Sequence, residues 1–190
     1  MTKLWVFGYG SLMWRPGFAF EEAHAATIAG VHRSLCVYST HHRGTGERPG
    51  LVLGLDHGGS CRGIAYGIGA GNASAVLQYL RERELVTNIY REVTRPIRLE
   101  ILGRPRVPAV TFVVRHDHPQ YAGVLSWPKR LAMVEGAVGA SGPNRDYVLN
   151  TVGHLRGLGI NDDALEWLAA RLAKSSPAGR IGARAGLDRA

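Results

Sequence analysis

Cysteine is scarce in this sequence, which contains only Cys36 and Cys61 among 190 residues. Two thiols are too few for a disulfide framework or a four-thiolate zinc site. Each lies in an apolar stretch, which is typical of a small buried side chain. Long apolar runs are missing too. A helix that spans a bilayer needs about 20 consecutive apolar residues, and no stretch of the sequence approaches that length. The composition thus excludes a disulfide-rich secreted scaffold and a transmembrane protein.

The first residues do not resemble a signal peptide. Their apolar run is interrupted by Gly8, Tyr9, Gly10 and Ser11, whereas a signal peptide needs a continuous apolar segment followed by small residues. We therefore expect a cytoplasmic protein in a reducing compartment, and we expect no membrane partner.

Acidic residues are few, 15 against 23 Lys and Arg, so the chain carries a formal charge of +8. Residues 174–190 contribute a net +3, which leaves +5 for residues 1–173. The basic residues are scattered and do not form a stripe with interleaved aromatics, as a nucleic-acid surface would require. No nucleic-acid partner is expected, and the charge equally suits a small anionic substrate.

The hydrophobic pattern predicts strands in the first half of the chain and helices at its end. A helix from about 73 to 87, capped by Asn72, interrupts the strands. The strands are predicted at 3–8, 26–39, 51–56, 61–68, 92–102 and 106–115, with a loop at 41–50. The later helices are predicted from Ser126 to about 138, from 144 to 156, and from Asn161 to about 173.

This order of elements favours an α+β fold over a regularly alternating βαβ sheet. We expect one domain over residues 1–173, built as a small curled mixed β-sheet or barrel with flanking helices. Residues 174–190, rich in Arg, Gly and Ala, are predicted to form a tail outside the domain.

The segment FGYGSLMW follows the first strand. It is not a dinucleotide fingerprint, because Met13 stands where the third glycine would be, and it lacks the Gly-Lys-Ser/Thr of a P-loop. Two interpretations of this segment remain open: it is a tight turn that ends a strand, or it is a turn whose successive N–H groups bind an anion.

Glu84 is the most informative acidic residue. On a helical wheel it lies on the side of Leu77, Leu80 and Asn88, whereas Glu82 lies on the far side. A carboxylate on an apolar stripe is either paired with a neighbouring arginine or has a raised pKa that suits proton transfer near neutral pH. Both interpretations remain open at this point.

The histidines give only a weak signal for a metal. His41 and His42 are adjacent in a loop, and His116 and His118 flank an aspartate, but neither pair has a third ligand at a helical or strand spacing. No metal site is predicted.

Taken together, these residues resemble the ChaC family of γ-glutamylcyclotransferases. Six separated motifs occur in family order over about residues 5–170. They are Val6-Phe7-Gly8-Tyr9-Gly10-Ser11-Leu12-Met13-Trp14, Arg43-Gly44-Thr45 with Pro49-Gly50, Gly63-Ile64-Ala65-Tyr66, Arg83-Glu84 with Tyr90, His118-Pro119 with Tyr121, and Ser141-Gly142 with Asn144 and Tyr147.

The resemblance implies a role for each candidate site residue. Glu84 stands where the family has its general acid/base, and Tyr147 stands where related enzymes have a pocket tyrosine, although a core tyrosine remains an alternative. Arg43 would meet the glycine carboxylate of glutathione. The γ-glutamyl group would be bound by Gly8, Tyr9, Gly10, Ser11, Leu12 and Met13.

The resemblance also implies the reaction. Glutathione would be converted to 5-oxoproline and Cys-Gly by attack of its α-amine on its γ-carbonyl, without metal or cofactor. Two alternatives stay open: a cyclotransferase for other γ-glutamyl amino acids or amines, and a non-catalytic regulatory protein linked to cation transport. The oligomeric state is not determined by the sequence, and a monomer is the default expectation.

Overall fold

Residues 3–175 are described by a computed structural model, and five of their strands close into a barrel. The strands are β1 (Leu4–Gly8), β2 (Glu22–Ser39), β3 (Gly50–Ile68), β4 (Tyr90–Leu99) and β5 (Arg106–Val114). Their order around the barrel is β1-β3-β2-β4-β5. The β1–β5 contact that closes the barrel is parallel, while the other pairs are antiparallel. The predicted curled mixed sheet is confirmed.

Four helices flank the barrel. They are α1 (Ala73–Glu84), α2 (Trp127–Gly136), α3 (Asn144–Gly157) and α4 (Asp163–Lys174), and a short hairpin of β6 (Val138–Gly139) and β7 (Gly142–Pro143) lies between α2 and α3. The apolar residues of α2, α3 and α4 pack with the barrel in one large core. Helix α1 packs through Val76 and Leu80 on a second cluster, which includes Val6 and Ile68. Among residues 3–175, no helix is both long and apolar enough to cross a bilayer.

Several element boundaries differ from the prediction. The two strands expected at 51–56 and 61–68 form one strand, because Gly58 and Gly59 adopt positive φ angles of 92° and 68° and the chain bends without leaving the ladder. Helix α1 ends at Glu84 rather than near 87, and Asn88 has a φ of 57°, which a helix cannot contain. The fourth strand begins and ends earlier, at Tyr90 and Leu99.

The predicted caps are only partly right. Neither Asn72 nor Ser126 makes a side-chain cap hydrogen bond. Helix α4 is capped by Asp162, whose carboxylate accepts from the Leu165 N–H at 3.2 Å, and not by Asn161. Residues 176–190, most of the predicted tail, lie outside the described residues.

Both cysteines are buried and free, as expected. Burial raises the pKa of the Cys36 thiol to about 12 and that of Cys61 to about 11. Both side chains are therefore neutral thiols at physiological pH, and they serve as small apolar core groups.

Candidate active site

The glycine turn connects β1 to the short 3₁₀ helix Ser11–Met13. At Gly8 a Cβ atom would lie 3.1 Å from the Cβ of Leu12, so the turn folds back more tightly than a larger residue allows. The turn is closed by the Met13 N–H, which donates to the Gly10 carbonyl at 2.9 Å. Among residues 3–175, the N–H groups of Tyr9 and Gly10 have no hydrogen-bond acceptor, so they are available to an anion.

A buried arginine, Arg33, forms a hydrogen bond with this turn. Arg33 Nε donates to the Tyr9 carbonyl at 2.6 Å, and Arg33 Nη1 lies 3.1 Å from the carboxylate of Asp162, the cap of α4. Its side chain is only 3% exposed. A guanidinium group buried to this extent is stable only when its N–H donors have acceptors. Because the Tyr9 carbonyl is one of these acceptors, Arg33 fixes the position of the turn.

Glu84 is the last residue of α1, and its side chain is 18% exposed. Burial raises the pKa of this carboxyl, while the Arg83 guanidinium, 3.2 Å away, opposes the rise without cancelling it. The carboxylate also lies at the negative end of the helix dipole, which disfavours an anion in the same sense as burial. The two interpretations left open by the sequence are both realised, since Glu84 is paired and its pKa is still raised.

Arg83 joins the glutamate to the glycine turn. Its Nη2 donates to Ser11 Oγ at 2.9 Å, and its Nη1 donates to the Arg15 carbonyl at 2.8 Å and to the Tyr79 hydroxyl at 3.0 Å. Arg81, which is also close to Glu84 in the sequence, instead pairs with Glu92 at 2.7 Å. Arg83 is therefore the residue that sets the distance between Glu84 and the turn.

A cavity of about 100 Å³ lies between the turn and Glu84. Its lining residues are Tyr9, Gly10, Ser11, Leu12, Leu53, Glu84, Tyr90, Phe112 and Tyr147. They come from the glycine turn and 3₁₀ helix after β1, from β3, β4 and β5, and from α1 and α3, so closure of the barrel brings distant parts of the chain together. A larger cavity at another face of the barrel has one carboxylate, Glu100, which is already bound by Arg62. Of these two cavities, the smaller one therefore has a carboxyl group whose pKa is raised, that of Glu84.

Three tyrosines surround Glu84 in this cavity. Burial raises the pKa of Tyr9 and Tyr90 well above the usual value and that of Tyr147 to about 12, so all three are protonated near neutral pH. The hydroxyl of Tyr90 donates to the Leu53 carbonyl at 2.7 Å, and that of Tyr147 accepts from the Leu53 N–H at 3.2 Å. Among the described residues, the Tyr147 O–H proton has no acceptor, so it can be donated to a ligand.

The structure brings together six of the nine residues predicted for the site: Tyr9, Gly10, Ser11, Leu12, Glu84 and Tyr147. Gly8 and Met13 do not line the cavity. Gly8 permits the turn, and Met13 is buried in the core, where its sulfur lies 3.9 Å from Arg33.

Arg43 lies outside the cavity as well. Its guanidinium donates to the Ser141 carbonyl at 2.6 Å and lies 5.5 Å from the ring centroid of Tyr147. In this arrangement Arg43 connects the 40–49 loop to the β6–β7 hairpin and covers one face of the cavity tyrosine.

Three lining residues were not predicted as site residues: Leu53, Tyr90 and Phe112. Tyr90 belongs to one of the motifs shared with the ChaC family, and that motif was the available signal. Leu53 and Phe112 are apolar strand residues, and alternation along a strand cannot distinguish a cavity wall from a core.

The histidine pairs are not arranged as a metal centre. No group of three His, Cys, Asp or Glu side chains within residues 3–175 has the proximity that a metal ion requires. His116 instead pairs with Asp56 at 2.6 Å, and the Tyr121 hydroxyl donates to the same carboxylate at 3.0 Å.

The chain is similar in sequence to proteins of known family. Residues 4–175 match the family model of the ChaC-like protein. The chain is 34% identical over 171 residues to the glutathione-specific gamma-glutamylcyclotransferase of Escherichia coli (strain K12), covering 90% of this chain and 73% of that protein. It is 34% identical over 150 residues to human glutathione-specific gamma-glutamylcyclotransferase 1, covering 77% and 67%.

A solved structure supports the fold assignment. The yeast gamma-glutamyl cyclotransferase specific to glutathione superposes with a TM-score of 0.79 at 22% identity, over 92% of this chain and 97% of that one. The predicted fold is confirmed by this likeness.

Proposed function

This chain belongs to the ChaC-like protein family, and we propose that it is a glutathione-specific γ-glutamylcyclotransferase that converts glutathione to 5-oxoproline and Cys-Gly. The observation that carries the proposal is the cavity itself, in which the partly buried carboxylate of Glu84, with its raised pKa, lies beside a turn whose Tyr9 and Gly10 N–H groups have no acceptor among the described residues. The relatives at 34% identity bear this activity in their names.

The reaction is an internal aminolysis. The α-amine of the γ-glutamyl group attacks its γ-carbonyl, a five-membered lactam forms, and the bond to the cysteine nitrogen breaks. Since nucleophile and electrophile belong to one molecule, the enzyme has to select the cyclising rotamer, remove a proton from the ammonium group and stabilise the oxyanion.

We assign the proton transfers to Glu84. Its carboxylate takes a proton from the α-ammonium group and returns it to the leaving amide nitrogen, so the enzyme ends in its starting state. A glutamate with an ordinary pKa would be a weak acid donor at neutral pH, and burial moves the pKa of Glu84 in the direction that balances the two steps. Arg83 keeps enough of the residue ionised for it to begin as a base.

The glycine turn suits the anionic end of the substrate. The free N–H groups of Tyr9 and Gly10 can bind the α-carboxylate, and the O–H of Tyr147 can donate to the carbonyl oxygen on which negative charge develops. In this assignment the candidate residues that do not line the cavity act on the turn or on Tyr147: Gly8 and Met13 shape the turn, and Arg43 packs on Tyr147.

The volume of the cavity fits only part of the substrate. Pockets that enclose a whole drug-sized ligand measure about 300–1,000 Å³, whereas this cavity measures about 100 Å³. The γ-glutamyl group can therefore be enclosed while the Cys-Gly portion stays outside. Discrimination between glutathione and other γ-glutamyl compounds then rests on residues at the rim, of which Arg43 is a cation close to Tyr147.

The proposal is tested by mass-spectrometric detection of 5-oxoproline and Cys-Gly after incubation of the purified full chain with glutathione. Glu84→Gln should fold normally and lose about 10²–10⁴-fold in kcat. Glu82→Gln is the matched control on the same helix, and since Glu82 is exposed it should retain full activity.

A second set of reactions uses γ-Glu-Ala and other γ-glutamyl compounds. Turnover of glutathione alone supports the specific enzyme, and equal turnover of γ-Glu-Ala would replace it by a broader cyclotransferase. No product from any substrate would point to a regulatory binding protein. Near-normal kcat in Glu84→Gln would remove Glu84 from the mechanism.

We further propose a cytoplasmic monomer that needs no metal or cofactor. The free, buried thiols suit a reducing compartment, and the reaction needs only proton transfers. Activity that survives exhaustive chelation, in a species of monomer mass by light scattering, is the expected result.

A further inference from the structure

A large cavity lies at the end of the barrel opposite to the candidate active site. It measures about 1020 Å³ and is lined by four arginines, Arg95, Arg98, Arg104 and Arg106, which we call the basic cavity. In the β4–β5 ladder, Arg98 pairs with Arg106 at one end, and Tyr90, which lines the active-site cavity, pairs with Val114 at the other. The two cavities therefore open from opposite ends of these strands.

Within the described part of the chain, no salt bridge neutralises the arginines of the basic cavity. Among residues 3–175, none of the four arginines forms a salt bridge. Glu100, the carboxylate in the lining, is engaged by Arg62 at 2.8 Å and by the hydroxyl of Thr27 at 3.0 Å. Arg98 and Arg106 are direct cross-strand partners, and like charges in that position repel. An anion between them would relieve this repulsion.

An apolar tip projects beside these arginines. Residues 101–104 form a turn in which the Arg104 N–H donates to the Ile101 carbonyl at 2.9 Å and Gly103 takes the positive φ of 76° that such a turn requires. Leu102, next to Gly103, is 101% exposed, and Ile101 is 37% exposed. At the end of this hairpin, aliphatic side chains are thus exposed to solvent beside the arginines of the basic cavity.

We propose that the hairpin tip and the basic cavity dock on a bilayer that contains anionic lipids. Aliphatic side chains beside arginines match the membrane interface, where the apolar group enters the acyl boundary and the guanidinium groups bind lipid phosphates. A single-stranded nucleic acid would instead need aromatic side chains for stacking, and the basic cavity has none in its lining. Docking in this way leaves the active-site cavity facing the aqueous phase.

This surface lacks the long apolar run by which a membrane protein is identified from its sequence. The expectation of no membrane partner rested on the absence of a spanning run, and a tip of two aliphatic residues is far shorter than such a run. The four arginines are also dispersed over residues 95–106, and only the pairing of β4 with β5 places them around one cavity.

The test is sedimentation of the full chain with phosphatidylcholine vesicles, with and without phosphatidylserine. We expect partition onto the vesicles that contain phosphatidylserine, weakened by added salt. The double variant Arg98→Gln/Arg106→Gln should lower the partition coefficient about 25-fold, since each basic residue near an anionic surface contributes a factor of about five. Leu102→Ser should lower it about tenfold.

Matched controls separate this surface from other contributions. Arg91→Gln, an exposed arginine at the far end of β4, and Val124→Ser, which replaces an equally exposed aliphatic residue elsewhere, should leave the partition unchanged. Thermal unfolding verifies that each variant is folded. The proposal is overturned if the full chain does not bind, or if Arg180→Gln/Arg184→Gln abolishes binding while the hairpin variants retain it. RNA binding that depends on the arginines but not on Leu102, with no vesicle binding, would assign the surface to nucleic acid.

Discussion

Asn144 offers a quantitative test of how the helical layer is attached to the barrel. Its side chain is fully buried, and its amide forms two hydrogen bonds with one residue of β3: Oδ1 accepts from the Leu51 N–H at 2.7 Å, and Nδ2 donates to the Leu51 carbonyl at 2.8 Å. These two hydrogen bonds take the place of the backbone hydrogen bonds that a neighbouring strand would form with Leu51. Asn144→Ala leaves both backbone groups buried without a partner, at about 1–3 kcal/mol each. We therefore expect the free energy of unfolding to fall by about 4 kcal/mol.

Urea unfolding followed by circular dichroism measures this loss. With a slope of about 2 kcal/mol per molar urea, the midpoint should fall by about 2 M. Asn150→Ala, on an exposed position of the same helix, is the control and should change stability by less than about 0.5 kcal/mol. A loss below about 1 kcal/mol for Asn144→Ala would refute the reasoning, because it would mean that neither backbone group depends on the amide.

Two further predictions concern pH. In the proposed mechanism Glu84 must be ionised to act as a base, so activity should be lost as the pH falls through its raised pKa, and Arg83→Gln, which removes the opposing charge, should move the acid limb of the kcat/KM profile to higher pH; an unmoved limb would contradict this. Burial acts to raise the pKa of Asp56, but hydrogen bonds from a backbone N–H, His116 and Tyr121 outweigh it and lower the pKa. The stability that this carboxylate provides is lost as the pH falls through its lowered pKa, so Tyr121→Phe should start that loss at higher pH in unfolding titrations; overlapping curves for the two proteins would count against it.

The sequence allowed prediction of the site wherever the signal was local. Helical periodicity placed Glu84 on the buried side of α1 and Glu82 on the exposed side, and the structure has them so. The spacing of Gly8 and Gly10 predicted a turn. Periodicity failed at the end of the helix, because Asn88 continues the apolar stripe while its backbone is left-handed.

What the sequence did not reveal depends on the closure of the barrel. Tyr90, Leu53 and Phe112 lie on three different strands and share a cavity only because β1 contacts β5. The continuity of β3 through Gly58 and Gly59 was missed for a related reason. Glycines ordinarily mark a break, and only pairing with β2 on both sides keeps the strand intact.

The link from Arg33 to both Tyr9 and Asp162 has a consequence for biosynthesis. The glycine turn is synthesised before α4, and the carboxylate that neutralises Arg33 is encoded 129 residues after that arginine. Until Asp162 is available, the guanidinium that fixes the turn would be buried without its counter-charge. A nascent chain should therefore form its barrel strands first and fix the turn that we propose to bind substrate only when α4 has been made, so we expect premature termination before α4 to yield an inactive product.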